Sequence, residues 1–292
     1  MAGLVRGPPG LGVLIERTRL AVWGDPIAHS RSPQLHAAAY DVLGLGWTYE
    51  RRRVAASELS STLGSLDESW RGLSVTFPLK GEAFAAAGTL DRRAELTGAV
   101  NTLLIDPTGR PHGFNTDVGG IVRALQDDGI EAVAHARLVG AGATAASAVV
   151  ALAELGAERI DVVARRPGAT APLEAIGERL GVDVVAVPFA AADHDDVAVT
   201  IATLPGEAVV PAAAARSLAA HGGLLMDVVY GHWPTALSRA WEDAGRTARS
   251  GLGMLLHQAV LQVRVFATGQ VHTPLADEDA VLVAMRQAVT DD

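Results

Sequence analysis

The stretch that decides the fold is Arg137–Leu155, RLVGAGATAASAVVALAEL. Arg137–Val139 reads as a short strand, Gly140-Ala141-Gly142-Ala143 as a tight turn, and Thr144–Leu155 as a helix of small residues. Ile160–Ala164 follows as the next strand. Strand, glycine turn, helix and second strand in this order outline a dinucleotide-binding βαβ unit. In such a unit Gly140 permits the turn. Gly142 admits a pyrophosphate to the helix N-terminus, where free amides and the macrodipole favour negative charge. Ala143, Ala145 and Ala146 are small enough to seat the helix close to the strands. Gly-x-Gly alone is also an ordinary strand-to-helix turn, and its place between two strands is what favours the nucleotide reading.

The end of the second strand bears on which nucleotide. NAD binders usually carry an acidic residue there, about 20 positions past the glycines. This chain has Val163-Ala164-Arg165-Arg166, and Asp161 sits at the wrong end of the strand for a ribose. Two guanidinium groups suit the 2′-phosphate of NADP(H), because arginine grips phosphate with a planar fork. The plainer alternative is that both arginines only solvate a loop.

Outward from this unit the same alternation continues. Asp183–Val187, Ala198–Ala202 and Leu224–Val228 read as further strands, and Asp117–Gln126 as the helix that opens the region. Upstream, Arg19–Trp23, Trp47–Val54 and Gly72–Thr76 read as strands. Helices are expected at Ser32–Leu43 and Ser57–Leu66, the former with Ser32 as N-cap and Pro33 at the first helical position. Downstream, Leu252–Phe266 and Asp277–Gln287 read as two helices, which should fold back on the first region, since the second already has strands enough for a sheet. The pattern is α/β in two domains, with residues 1–18 as a loose N-terminal extension.

Composition sets the outer limits. The chain has 292 residues, room for two domains of ordinary size. With 49% hydrophobic and 20% charged residues it is too apolar to be largely disordered. A net charge of −9 gives no footprint for general nucleic-acid binding, although a few local cations can hold a small anion. There is no cysteine, which excludes disulfides, thiolate nucleophiles and cysteine-ligated metals, and which is compatible with the cytoplasm. No apolar run reaches the roughly 18 residues of a membrane span. Pro8-Pro9, Glu16 and Arg17 interrupt the opening apolar stretch, so a signal peptide is not expected. The nine histidines are scattered without metal-ligand spacing, and no metal is expected.

Four polar segments precede the glycine turn. They are GDPIAHSRSPQLH (24–36), SVTFPLK (74–80), GAVNT (98–102) and GFNTD (113–117). Each alone reads as a turn, and Ser32 alone reads equally as a helix cap; His29 is given no chemistry. Together they bring Ser, Thr, Lys, Asn and Asp to strand ends or loops facing one cleft. With GLGMLLHQA (251–259), five motifs stand in the order found in the shikimate dehydrogenase family, and the chain resembles that family from about residue 20 to residue 262.

The resemblance implies an NADP(H)-dependent reduction of 3-dehydroshikimate to shikimate in aromatic amino-acid (chorismate) biosynthesis, in the cytoplasm. It implies a substrate-binding domain of residues 19–116 and 251–292, and a Rossmann-like NADP domain of residues 117–250. Ser30, Ser32, Thr76, Lys80, Asn101, Asp117, Tyr230 and Gln258 would hold the substrate, with Lys80 and Asp117 as the catalytic pair. Gly140, Ala141, Gly142, Ala143, Thr144, Arg165, Arg166, Thr203, Val228 and Gly251 would meet the cofactor, Arg166 on charge alone. A homodimer is compatible with the family. A lysine ammonium is a fitting proton donor to a developing alkoxide, and a neighbouring carboxylate can orient it.

Three departures from the family's usual residues stand out: Ser74 for Asn, Ala143 for Gly, and Ala164-Arg165-Arg166 for Asn-Arg-Thr, of which only Arg165 is shared. They leave open a relative acting on quinate or an amino-substituted shikimate. A non-catalytic ligand sensor is the rival from another class; it should have lost Lys80 or Asp117, and both are present.

Overall fold

A computed structural model describes residues 17–189 and 194–290, and the expected N-terminal extension lies outside them except for Arg17 and Thr18. In the first half, β1 (Arg19–Gly24), α1 (Ser32–Leu43), β2 (Thr48–Arg53), α2 (Leu59–Gly64) and β3 (Trp70–Val75) alternate as expected. Then come α3 (Lys80–Ala86), β4 (Thr89–Leu90), α4 (Arg92–Thr97), β5 (Thr102–Ile105) and β6 (Pro111–Phe114). Their sheet has the order β2-β1-β3-β5-β6-β4. β1 lies parallel to β2 and β3, whereas β5 runs antiparallel to both its neighbours.

The second half runs α5 (Asp117–Asp127), β7 (His135–Val139), α6 (Ala143–Glu154), β8 (Arg159–Ala164), α7 (Ala171–Leu180) and β9 (Asp183–Pro188). It continues with β10 (Val199–Ala202), α8 (Ala212–Ala220), β11 (Leu224–Asp227), α9 (Ala236–Asp243) and β12 (Ala248–Arg249). The strand order is β12-β11-β10-β7-β8-β9, every pair parallel. This is the doubly wound nucleotide-binding order, whose direction of winding reverses between β7 and β10. Ligands of such sheets sit beyond the C-terminal strand ends at that reversal.

α10 (Leu252–Thr268) and α11 (Glu278–Thr290) return to the first sheet. Leu256, Val263 and Phe266 of α10 and Val281, Met285 and Val289 of α11 share a buried cluster with Leu20, Leu35 and Tyr40. Three such side chains on α11, at about 1.5–3 kcal/mol each, hold that helix down.

The two sheets are also stapled together. Asn115, fully buried, donates from Nδ2 to Thr97 Oγ1 at 2.9 Å and to Ser147 Oγ on α6 at 3.0 Å. Arg93 of α4 forms a two-pronged pair with Glu154 of α6, at 2.9 and 2.6 Å.

Three local expectations change. Ser32 does not cap α1: Arg31 occupies the cap, and Ser32 is already helical. Lys80 opens a short helix rather than ending a turn. Ala143 is exposed at the start of α6, so the close packing is left to Ala145 and Ala146, as expected, with Ala148 beside them.

Candidate active site

A cleft of about 690 Å³ opens between the C-terminal strand ends of the two sheets. Ser30, Ser32, Thr76, Lys80, Asn101, Asp117, Tyr230 and Gln258 all line it, as do Thr144, Thr203, Val228 and Gly251. Eight residues expected around a substrate and four expected around a cofactor therefore face one space.

Each polar wall has a structural reason. Ser30 and Ser32 follow the end of β1, where α1 begins, with their hydroxyls 3.3 Å apart. Arg51 of β2 fixes that loop by donating from Nε to the Ser30 carbonyl at 2.7 Å. Lys80 begins α3, just beyond β3, and Asp117 begins α5. Lys80 Nζ lies 2.6 Å from Asp117 Oδ2, with only 13% and 6% of the two side chains exposed. Asn101 Nδ2 donates to the other carboxylate oxygen at 2.8 Å. The Asn101 side-chain oxygen accepts from Thr116 N and Thr102 Oγ1, both at 2.9 Å, which fixes which way the amide faces. A buried ion pair held on both oxygens of its carboxylate leaves the remaining ammonium protons of Lys80 to face the cleft. Removing either charge would strand the other, at about 3–5 kcal/mol. Burial pushes the Tyr230 hydroxyl above its ordinary range, against the pull of Arg31 and Arg51.

The nucleotide side fits a dinucleotide on its own geometry. Gly140 adopts φ +118°, a conformation that side chains other than glycine rarely take, and a Cβ there would lie 2.5 Å from Thr203 Oγ1. The Thr203 amide donates to the Val139 carbonyl at 2.8 Å, closing the seam where the strand order reverses. Beyond the Gly142 backbone nothing stands within 4 Å of where a Cβ would be, which leaves room for phosphate at the start of α6. Arg165 and Arg166 are exposed just past β8 and do not line the cleft itself. A Cβ on Gly251 would strike the Val228 carbonyl at 2.2 Å, so the backbone at the mouth of α10 needs glycine. Asp161 lies at the other end of its strand, where Arg159 and His135 contact it at 2.9 and 3.0 Å.

The scattered histidines hide one cluster. Among the described residues, His135, Asp161 and Asp195 bring ligand atoms within 4.8 Å of one another, at the edge of the second sheet opposite the cleft. Arg159 contacts both carboxylates, at 2.9 and 3.7 Å, and supplies the positive charge a metal would bring.

Several lining residues escape the sequence reading. Gln262 faces the cleft one helical turn past Gln258, a spacing of four that could have flagged it. Met254, Leu255 and the Leu204–Glu207 loop add apolar and backbone surface with no motif to announce them. His29 also lines the opening.

An α/β fold of this order, with a glycine turn at the reversal and a buried Lys–Asp pair in the cleft, defines a nicotinamide-nucleotide oxidoreductase. The profile of the shikimate dehydrogenase substrate binding domain matches residues 22–103. Shikimate dehydrogenase (NADP(+)) of Methylobacterium radiotolerans is 37% identical over 261 residues, 83% of this chain and 88% of that protein. The crystal structure of Mycobacterium tuberculosis shikimate dehydrogenase is 43% identical, with TM-score 0.79, covering 92% of this chain and 98% of that one. Shikimate 5-dehydrogenase from Thermus thermophilus, solved in complex with NADP(H) and shikimate, is 32% identical with TM-score 0.76, covering 93% and 100%. The chain belongs to the shikimate dehydrogenase family.

Proposed function

We propose that this chain is an NADP(H)-dependent shikimate dehydrogenase that interconverts 3-dehydroshikimate and shikimate in chorismate biosynthesis. Residues 19–116 with 251–292 form its substrate-binding domain, and residues 117–250 its NADP domain. A cytoplasmic setting suits a chain without cysteines; among the described residues no helix is long and apolar enough to cross a membrane.

The observation that carries this reading is the Lys80–Asp117 pair, 2.6 Å apart and held by Asn101, in the same cleft as Thr144 and Thr203. NADP(H), when bound, supplies or takes up the hydride. The chain's own residues do the rest. Gly140–Thr144, Thr203, Val228 and Gly251 hold the nucleotide, with Arg165 and Arg166 on its 2′-phosphate. Ser30 and Ser32 donate hydroxyls to the ring carboxylate, beside Tyr230. Thr76, Asn101 and Gln258 hold the ring hydroxyls. Lys80 Nζ gives a proton to the oxygen that becomes negative as the ketone is reduced, and takes it back in the reverse direction. Asp117 orients that ammonium and accepts a hydrogen bond from a ring hydroxyl.

Steady-state kinetics of Lys80→Ala and Asp117→Asn test it. Lys80→Ala should lower kcat by roughly 10²–10⁴, the loss of a general acid, with a much smaller change in KM. Asp117→Asn should lower kcat and also raise KM. If Lys80→Ala lowers the melting temperature but leaves turnover per folded molecule intact, the pair only joins two loops and the assignment fails.

A further inference from the structure

Three consecutive arginines, Arg51-Arg52-Arg53, end β2, the edge strand of the first sheet, and no motif of the cleft accounts for them. Two have partners of their own. Arg53 grips Asp25 with two donors, at 2.9 and 3.0 Å. Arg52 lies over the Trp23 ring, 5.6 Å from its centroid. Arg51 differs: among the described residues it bonds only to neutral oxygens and forms no ion pair.

The strand register fixes which way Arg51 faces. It lies beside Val22 of β1, and Val22 lies beside Ser74 of β3. Neighbours in a parallel register share a face of the sheet. Val22 and Ser74 both line the cleft, so Arg51 extends that row by one strand spacing, about 4.8 Å, beyond the lining. From there Nε donates to the Ser30 carbonyl at 2.7 Å and Nη2 to Gln34 Oε1 at 3.1 Å. These two bonds set the guanidinium behind the turn that carries Ser30 and Ser32.

That end of the cleft is otherwise short of positive charge. The hydroxyls of Ser30, Ser32 and Tyr230 are neutral, and Lys80 is already matched by Asp117. Arg31 gives its Nη1 to the Val289 carbonyl near the end of α11, at 2.6 Å. Tyr230 feels the charge of both Arg31 and Arg51, which puts the two guanidinium groups at the same end as its hydroxyl. A carboxylate entering there gives up water, and hydroxyl donors alone do not match its charge. Arg51 is a fixed cation close by with no counter-charge among the described residues.

We propose that Arg51 is a positioning residue whose uncompensated charge, held behind Ser30, makes the hydroxyl cradle of Ser30, Ser32 and Tyr230 select an anionic ring substituent over a neutral one. Arg51 acts through Ser30 and across space, without touching the substrate. The proposal rests on the reading of the cleft as a shikimate site and adds the source of its preference for an acid.

The test uses the full chain with Arg51→Gln and Arg51→Lys. Shikimate is the substrate, and its carboxamide, a neutral isostere, is a competitive inhibitor. Glutamine keeps an amide donor near the Ser30 carbonyl and removes the charge; lysine keeps the charge and loses the fork. Arg51→Gln should raise the shikimate KM about three- to fivefold, the upper range for a solvent-exposed charge pair, with kcat changed less than about twofold. The carboxamide inhibition constant should stay within about twofold, and Arg51→Lys should keep most of the preference for the acid. If Arg51→Gln weakens acid and amide equally, Arg51 only shapes the Ser30 turn and the proposal is overturned. An unchanged shikimate KM, or an Arg51→Lys variant as impaired as Arg51→Gln, overturns it too. If Arg51→Gln does not fold, Arg51→Met is judged by the same criterion. Failure of the unmodified chain to turn over shikimate would instead overturn the reading of the cleft.

Discussion

His36 is fully buried, bonded at both ring nitrogens, and held by burial at a pKa of about 3. In the unfolded chain a histidine titrates near ~6.5. Between these values the unfolded chain binds a proton that the folded chain refuses, so stability falls as the pH falls through this window and is fully present above it. The slope from this one group is at most about 1.4 kcal/mol per pH unit. Urea unfolding between about pH 6.5 and pH 4 should therefore show a shallower loss of stability in His36→Gln than in the unmodified chain, and parallel curves would contradict the assignment. At this scale the sequence is legible wherever the candidate site is built from short runs. Ser30 and Ser32, Thr76 and Lys80, Asn101 and Asp117 each stand in a motif whose neighbours fix their place at a strand end. The contact of Tyr49 with Ser74 is not legible, because it comes from the register of three strands and not from neighbours in sequence.

Elements with a long period or a glycine signature are legible nearly to their ends. The expected helix at Asp117–Gln126 differs from α5 by one residue, and the strand at Arg137–Val139 lacks only the first two residues of β7. α3 and α4 escape a reading by pattern because seven and six residues span barely two turns, too few for an apolar stripe to repeat. That omission places Lys80 in a turn, whereas it begins a helix. Ser32-Pro33 reads as a cap followed by the first helical residue, yet both are helical, and the Ser32 hydroxyl is left to Ser30 and the cleft. The element with most to say about cofactor choice is the end of β8. A carboxylate that could take a ribose is absent there; Asp161 is engaged by Arg159 and His135 at the far end, while Arg165 and Arg166 stand in the open. Replacing both arginines with alanine should raise the KM for NADP and leave the KM for NAD nearly unchanged, because only the 2′-phosphate contact is lost. Equal loss with both nucleotides would place the arginines elsewhere in the binding mode.

At the scale of the molecule, the chain carries a net charge of −9, and it gathers cations where the anionic ligands should lie. Lys80 is in the cleft, Arg51 and Arg31 act on Tyr230, and Arg165 and Arg166 stand exposed just past β8. The two sheets are set against each other by Asn115, which bridges Thr97 and Ser147, and by the Arg93–Glu154 pair. α10 packs in the first sheet's cluster while offering Gln258 and Gln262 to the cleft. The two-domain plan with returning C-terminal helices can be seen in the sequence, since the second region holds a sheet's worth of strands. The staples cannot, because Arg93 and Glu154 are sixty-one residues apart and only the fold brings them together. The most direct measurement is the nicotinamide absorbance assay with shikimate and quinate, each offered with NADP and with NAD. Shikimate should turn over rapidly with NADP, NAD should be used weakly, and quinate should be used poorly, because its added tertiary hydroxyl crowds the carboxylate against Ser30 and Ser32. No turnover of shikimate with NADP, or quinate turned over as efficiently as shikimate, would contradict the proposed function.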